Sequence, residues 1–136
     1  SPDLDPDTLL NLCGTAIDSG VHGIITNNTS TDYTQCPGAR KSGGLSGRCI
    51  RERSHERLRL LADNFFGKTI LISSGGIDSA TEAWRRIRAG ANLVQIYTAL
   101  VFHGPGLISR INRGLLDLMS RDGFQDIGEA IGSDLS

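Results

Sequence analysis

The stretch LISSGGIDSATEA, Leu71 to Ala83, carries an apolar run through two serines and two consecutive glycines and on into a helix. A strand that only had to turn a corner could do so with one glycine and a few polar residues. Paired glycines predict that something approaches the backbone closely. Downstream, Ser79 with Glu82 three residues on reads as a capping box, and Ala83, Trp84, Ile87 and Ala91 line the apolar side of a helix that stops at Gly90. Upstream, Lys68 to Ser74 reads as a strand. The stretch is therefore a strand, a glycine corner and a helix.

The same unit recurs on either side. Asp5-Pro6 suits a helix start, because Asp can accept an orphan amide bond and Pro fits the first helical position. Leu9, Leu10, Cys13, Ala16 and Ile17 then recur at helical spacing up to Gly20. Val21 to Thr26 is a short apolar strand ending in Asn27-Asn28-Thr29-Ser30. Residues 31–49, with Gly38, Gly43, Gly44 and Gly47, read as a long loop, and loops of that length inside compact domains are usually functional or disordered. A helix follows from about Glu52 to Phe66, with Leu58, Leu61 and Ala62 on one side and Arg53, Glu56, Arg57 and Arg59 on the other. Asn92 to Tyr97 is a third strand. After it come a Thr98-Ala99-Leu100 turn, the breakers Gly104-Pro105-Gly106, a helix from about Leu107 to Arg121 and a helical piece near Asp126 to Ile131.

Apolar strands alternating with helices predict an α/β fold with a parallel sheet covered by helices. Three such units make either part of an open doubly wound sheet or an arc of a (β/α)8 barrel. A barrel takes about 250 residues, and the 136 here make about half of one.

Composition excludes several function classes. Net charge is −1, and the 14 Lys and Arg are spread out apart from a concentration at Arg48 to Arg59, so no broad cationic face for nucleic acid is expected. That Arg and Glu run reads as a solvated helix face. Cys13, Cys36 and Cys49 are odd in number and lack C-x-x-C spacing, which supports neither a disulfide framework nor a zinc site and fits a reducing compartment. His22, His55 and His103 are scattered, so no metal site is expected. No apolar run reaches the roughly 18 residues of a membrane span, and SPDLDPDT has no signal-peptide character, so this chain reads as soluble.

In parallel α/β folds ligands collect at the carboxyl ends of the strands. Those ends read Asn27-Asn28-Thr29-Ser30, Ser73-Ser74-Gly75-Gly76 and Tyr97-Thr98-Ala99, all polar or glycine-rich. Gly75 and Gly76 before a helix N-terminus predict an anion site in which phosphate oxygens reach backbone N–H groups, with Thr98 adding a hydroxyl and an amide. The plain alternative is a tight turn. Asn28 and Thr29 can end a strand as an Asx or Ser/Thr turn, but four amide and hydroxyl side chains in a row exceed what a turn requires and suit a planar ligand with imide or carboxylate edges. SGGLSGR, Ser42 to Arg48, reads as a loop tucked onto a ligand through Leu45, or as a flexible linker. Ser42 and Ser46 have no visible base beside them and make poor nucleophiles.

SGGLSGR, ISSGGIDS, RAGANLVQIYTAL, HGPGLI and GFQDIGEAIGSD together resemble the C-terminal half of the class 2, quinone-dependent dihydroorotate dehydrogenases, in order and over essentially the whole chain. The resemblance implies a (β/α)8 barrel that holds FMN at its strand ends. It also implies oxidation of dihydroorotate to orotate with quinone as electron acceptor, in de novo pyrimidine biosynthesis, by an enzyme peripheral to the cytoplasmic side of the inner membrane. By the same resemblance Asn28 and Thr29 match substrate-binding positions, and Asn27 and Gly47 match flavin-contacting ones. Gly76, Tyr97 and Thr98 match flavin-phosphate contacts, which Gly75 joins as the other half of the glycine pair.

Two motifs depart from the family. Where it usually reads TNTT this chain has Asn27-Asn28-Thr29-Ser30, and where it reads GVGG this chain has Ser73-Ser74-Gly75-Gly76. The flavin-contacting lysine, the catalytic serine that removes the substrate's C5 proton, and the helices that open onto the quinone match nothing here. The resemblance places them upstream of Ser1, so this chain is expected to be a C-terminal half, inactive alone and prone to self-association. Two other readings stay open: a different FMN- or phosphate-binding barrel enzyme, and a non-catalytic half-barrel that binds phosphate compounds or other subunits.

Overall fold

The structure, a computed structural model, describes residues 1–135. Helix α1, Pro6–Asp18, starts where Asp5 accepts a bond from the Thr8 amide at 2.9 Å, and buries Leu9 and Cys13. It is followed by β1 (Gly23–Thr26), α2 (Arg51–Phe65), β2 (Ile70–Ser74), α3 (Ala80–Arg88) and β3 (Leu93–Gln95). Helices α4 (Thr98–His103), α5 (Gly106–Arg121) and α6 (Ile127–Ala130) complete the described chain. The strands are parallel and lie in the order β1-β2-β3.

The two faces of this sheet decide between the architectures left open above. Side chains alternate across a strand. On one face Thr26, Leu71 and Ser73 are buried, and Ile24 and Val94 pack into apolar clusters with the helices. On the other face Ile25, Ile72 and Leu93 stand side by side in register, and yet Ile25 is 55% and Leu93 59% exposed. An open doubly wound sheet covers both faces with helices. An apolar row without a helix over it is the inner layer of a barrel wall, where facing strands supply the cover.

The helical side holds the core. Leu9 and Cys13 of α1 meet Leu58, Leu61 and Ala62 of α2 and Leu71 of β2. Ile77, Ala83, Leu107 and Ile111 join α3 to α5, and Trp84, Ile87 and Ala130 bring in α6. Burying a Leu fully stabilises by about 1.5–3 kcal/mol, so Leu58, Leu61 and Leu71, none of them accessible to water, are the anchors of the α2–β2 pair.

Several expectations are corrected. Thr98-Ala99-Leu100 is not a turn but the first turn of α4, because Gly104, at φ +68°, places the break later. Ser79 caps α3 by accepting from the Glu82 amide at 3.2 Å, but the Glu82 carboxylate does not complete a box; it pairs with Arg86 at 2.6 Å. The run from Arg48 to Arg59 is not a solvated face. Arg53 lies 3.0 Å from both Asp3 and Asp32, Arg51 lies 2.6 Å from Asp78, and Arg85 reaches Glu52 at 2.7 Å, because charged groups distant in sequence converge on α2. Cys36 and Cys49, read as unpaired, are joined with Cα atoms 5.4 Å apart, since the 31–49 loop folds back on itself.

Candidate functional site

A cavity of about 650 Å³ opens at the carboxyl ends of all three strands. Its wall includes Asn27, Asn28 and Thr29 after β1, Ser74, Gly75 and Gly76 after β2, and Tyr97 and Thr98 after β3, with Ser46 and Gly47 from the long loop. All eight positions singled out in the sequence as binding residues therefore face one space. Parallel pairing brings this about, since it sets every strand's carboxyl end on the same rim.

The glycine corner answers the question its sequence poses. Both glycines have positive φ, +99° at Gly75 and +79° at Gly76. A Cβ on Gly76 would stand 2.6 Å from Arg51 Cα, and one on Gly75 would stand 2.5 Å from Ser54 Oγ. What approaches the backbone is thus the first turn of α2, on the side away from the cavity. The corner also does not feed its helix directly, since Ile77, Asp78 and Ser79 intervene before Ala80. The corner and the start of α4 bring backbone amides to residues that line the cavity, while α3 is capped by its own Ser79.

Those amides are free. Among the described residues the N–H groups of Gly76, Ile77, Tyr97 and Thr98 have no hydrogen-bond acceptor. Backbone donors in a folded chain are nearly always paired, so four open ones on one cavity wall form a concave donor surface suited to an anion. Thr98 Oγ1 donates to Ser46 Oγ at 2.8 Å, which ties the long loop to the end of β3. Gly47 permits this approach, for its Cβ would meet Thr98 Cγ2 at 3.0 Å.

At the other end of the cavity, Asn27 Nδ2 donates to the Asn28 carbonyl at 2.8 Å and to Ser54 Oγ at 3.2 Å, leaving Asn27 Oδ1 buried without a partner among the described residues. Asn28 Oδ1 accepts from the adjacent Thr29 amide at 2.7 Å, one residue short of the bond an Asx turn makes, and its Nδ2 stays open. Ser30 does not reach the cavity; it pairs with Leu45 in an antiparallel bridge, 3.1 and 2.7 Å. Leu45 is accordingly tucked onto the protein itself rather than onto the cavity.

Sequence reading missed the charged residues on the wall, Arg48 and Asp78, and those behind it, Arg51, Glu82 and Arg86. Asp78 sits between Arg48 Nε, at 2.5 Å, and Arg51 Nη2, at 2.6 Å. Burial pushes the Asp78 carboxyl up, but the two guanidinium groups outweigh it and hold the acid below the usual carboxylate range. Arg86 is fully buried and donates to Glu82, to Ser73 Oγ at 3.1 Å and to the carbonyls of Arg51 and Gly75 at 2.7 and 3.2 Å. The one available signal was Glu82 and Arg86 at (i, i+4) spacing on a helix otherwise read from its apolar residues.

Comparison with known proteins gives the same direction. A family profile described as Dihydroorotate dehydrogenase matches residues 1–119. The dihydroorotate dehydrogenase (quinone) of Nitratiruptor sp. is 51% identical over 135 residues, covering 99% of this chain, and that of Sulfurovum sp. is 48% identical over 134. This chain spans 38% of the length of each of those two relatives. The DHODH of Eimeria tenella, solved in complex with ferulenol, superposes with a TM-score of 0.92 at 30% identity, over 99% of this chain and 36% of that one. The three-stranded α/β arc is thus part of a (β/α)8 barrel, and the chain belongs to the dihydroorotate dehydrogenase family.

Proposed function

We propose that this chain is the flavin-phosphate and orotate-binding part of a quinone-dependent dihydroorotate dehydrogenase, and that residues 1–136 form the C-terminal part of its single barrel domain. The whole protein would oxidise dihydroorotate to orotate on the route to pyrimidine nucleotides. The observation that carries this reading is the cavity itself, with open amides at Gly76, Tyr97 and Thr98 at one end and amide and hydroxyl side chains at Asn27, Asn28 and Thr29 at the other.

The residues fit FMN. Its phosphate is a dianion, and open backbone amides are the donors such a group takes. The one carboxylate on that part of the wall, Asp78, is neutralised by Arg48 and Arg51. Asn27 Oδ1, buried and unpartnered among the described residues, is an acceptor for an imide N–H. When bound, the flavin supplies the acceptor for the substrate's hydride. The work of this chain's residues is to bind and orient: Asn28 Nδ2 and the Thr29 hydroxyl hold the substrate's polar edges, and Gly47 lets the long loop close beside Thr98. The base that takes the C5 proton matches no residue of this chain.

Quinone reduction and attachment to the cytoplasmic face of the inner membrane belong to the reading of the whole protein. Among the described residues no helix is long and apolar enough to cross a membrane. The open edge of β1 and the row Ile25, Ile72 and Leu93 favour self-association of the isolated chain, which sedimentation would detect.

A steady-state assay with dihydroorotate and an artificial quinone tests the reading. The complete protein turns over and Asn28→Ala raises KM or abolishes turnover, whereas this chain alone gives none. Full activity in Asn28→Ala, or turnover by the isolated chain, would contradict it.

A further inference from the structure

The glycine corner is held from behind by two guanidinium groups, and each one grips a different carbonyl. Arg86 Nη2 takes the Gly75 carbonyl at 3.2 Å, and Arg51 Nε takes the Gly76 carbonyl at 2.9 Å. Both peptide bonds that follow are trans, and a trans peptide plane points its C=O and its N–H in opposite directions. Fixing the Gly75 carbonyl towards Arg86 therefore fixes the Gly76 N–H away from it, and fixing the Gly76 carbonyl towards Arg51 does the same for the Ile77 N–H. Neither arginine is on the cavity wall, whereas Gly76 and Ile77 are, and among the described residues both amides lack an acceptor.

The two grips are coupled. The Arg86 Nη2 that holds Gly75 also holds the Arg51 carbonyl, at 2.7 Å, so the loop after β2 and the first turn of α2 hang from one buried group. Glu82 and Ser73 lock that group in place, and Asp78 locks the Arg51 side chain. Glycine is required because the flip needs positive φ at both positions, and the arginines supply what glycine lacks, a fixed orientation. Preorganised N–H donors bind an anion without a reorganisation cost at the moment of binding.

We propose that Arg86 and Arg51 are positioning residues that set two consecutive peptide planes of the glycine corner, so that the Gly76 and Ile77 amides together grip a phosphate dianion. This rests on the FMN reading given above and deepens it by adding Ile77 to the contacts and two arginines behind them.

The test compares FMN with riboflavin, which lacks the phosphate, by fluorescence titration of the complete apoprotein. In Arg51→Gln, and in Arg86→Lys, which keeps a charge beside Glu82 but cannot span both carbonyls, FMN affinity falls about tenfold, the worth of one charge-assisted hydrogen bond. Riboflavin affinity stays unchanged. Equal loss for both flavins, or no loss for FMN, overturns the clamp while leaving the FMN reading intact. A parent protein that binds riboflavin as tightly as FMN overturns the phosphate site itself and the clamp with it.

Discussion

At the glycine corner every carbonyl is held by a charged group that is itself locked, and little side chain reaches the cavity. At the asparagine corner, one end of the cavity away, the side chains themselves are the donors and acceptors, and Asn27 and Asn28 bond mainly to their own backbone. The first arrangement suits a constant group such as a phosphate, which needs fixed amides. The second suits a ligand that arrives and leaves, since side-chain amides can exchange a local bond for one to the ligand. The expected contrast is therefore between a corner whose variants cost stability and one whose variants cost binding.

The largest effect that would break the contrast is expected at Arg86. Arg86→Met leaves the buried Glu82 with only Arg85, at 3.5 Å, and removing one member of a buried pair costs about 3–5 kcal/mol; urea denaturation reads this as a shifted midpoint. Gly76→Ala comes next. It places a side chain at φ +79° against the Arg51 main chain, at about 1–3 kcal/mol, and FMN affinity falls with it. Asn28→Ala should leave stability within about 0.5 kcal/mol, because its side chain is exposed, while orotate affinity falls about tenfold. Loss of stability as large as that of Gly76→Ala would erase the distinction between the corners.

Acid separates the two regions more finely. Burial, with the charges of Arg85 and Arg86 added, lowers the His55 pKa from 6.5 to about 4, so the folded state keeps it neutral where the unfolded chain is protonated. Stability on the α2–α3 side is therefore lost as pH falls from 6.5 towards 4. Behind the asparagine corner, burial raises the Asp3 pKa, but bonds from Ser30, Thr31 and Arg53 outweigh it and bring it from 3.8 to about 2. That contribution is fully present above 3.8 and disappears as pH falls towards 2. Denaturation midpoints across pH should lose the upper slope in His55→Gln and show a shallower lower one in Asp3→Asn, since Asp32, Asp78 and Asp122 are also held below the usual carboxylate range; a single slope that neither variant moves would contradict the assignment.

Much of this was legible in the sequence. Apolar strands, capped helices and polar strand ends gave the α/β order and, with the family resemblance, eight of the cavity positions, because parallel strands put their ends on one rim whatever lies between. Strands came out two to three residues too long, since Val21 and Lys68 are apolar or extended without pairing. The charges were misread for a different reason. Arg51, Arg53 and Arg86 look like helix surface until Asp78, Asp3 and the Gly75 carbonyl are brought to them from other parts of the chain, and no local period encodes such a meeting. The glycine pair was read for its cavity side alone, while its other side, packed on Arg51 and Ser54, is a constraint of equal weight.

The most direct measurement is a crystal structure of the complete protein with FMN bound. The account predicts phosphate oxygens within about 3 Å of the amide nitrogens of Gly76 and Thr98, with the Gly75 and Gly76 carbonyls still turned to Arg86 and Arg51. A phosphate lodged elsewhere on the barrel rim, or a glycine corner flipped so that its carbonyls line the cavity, would contradict it.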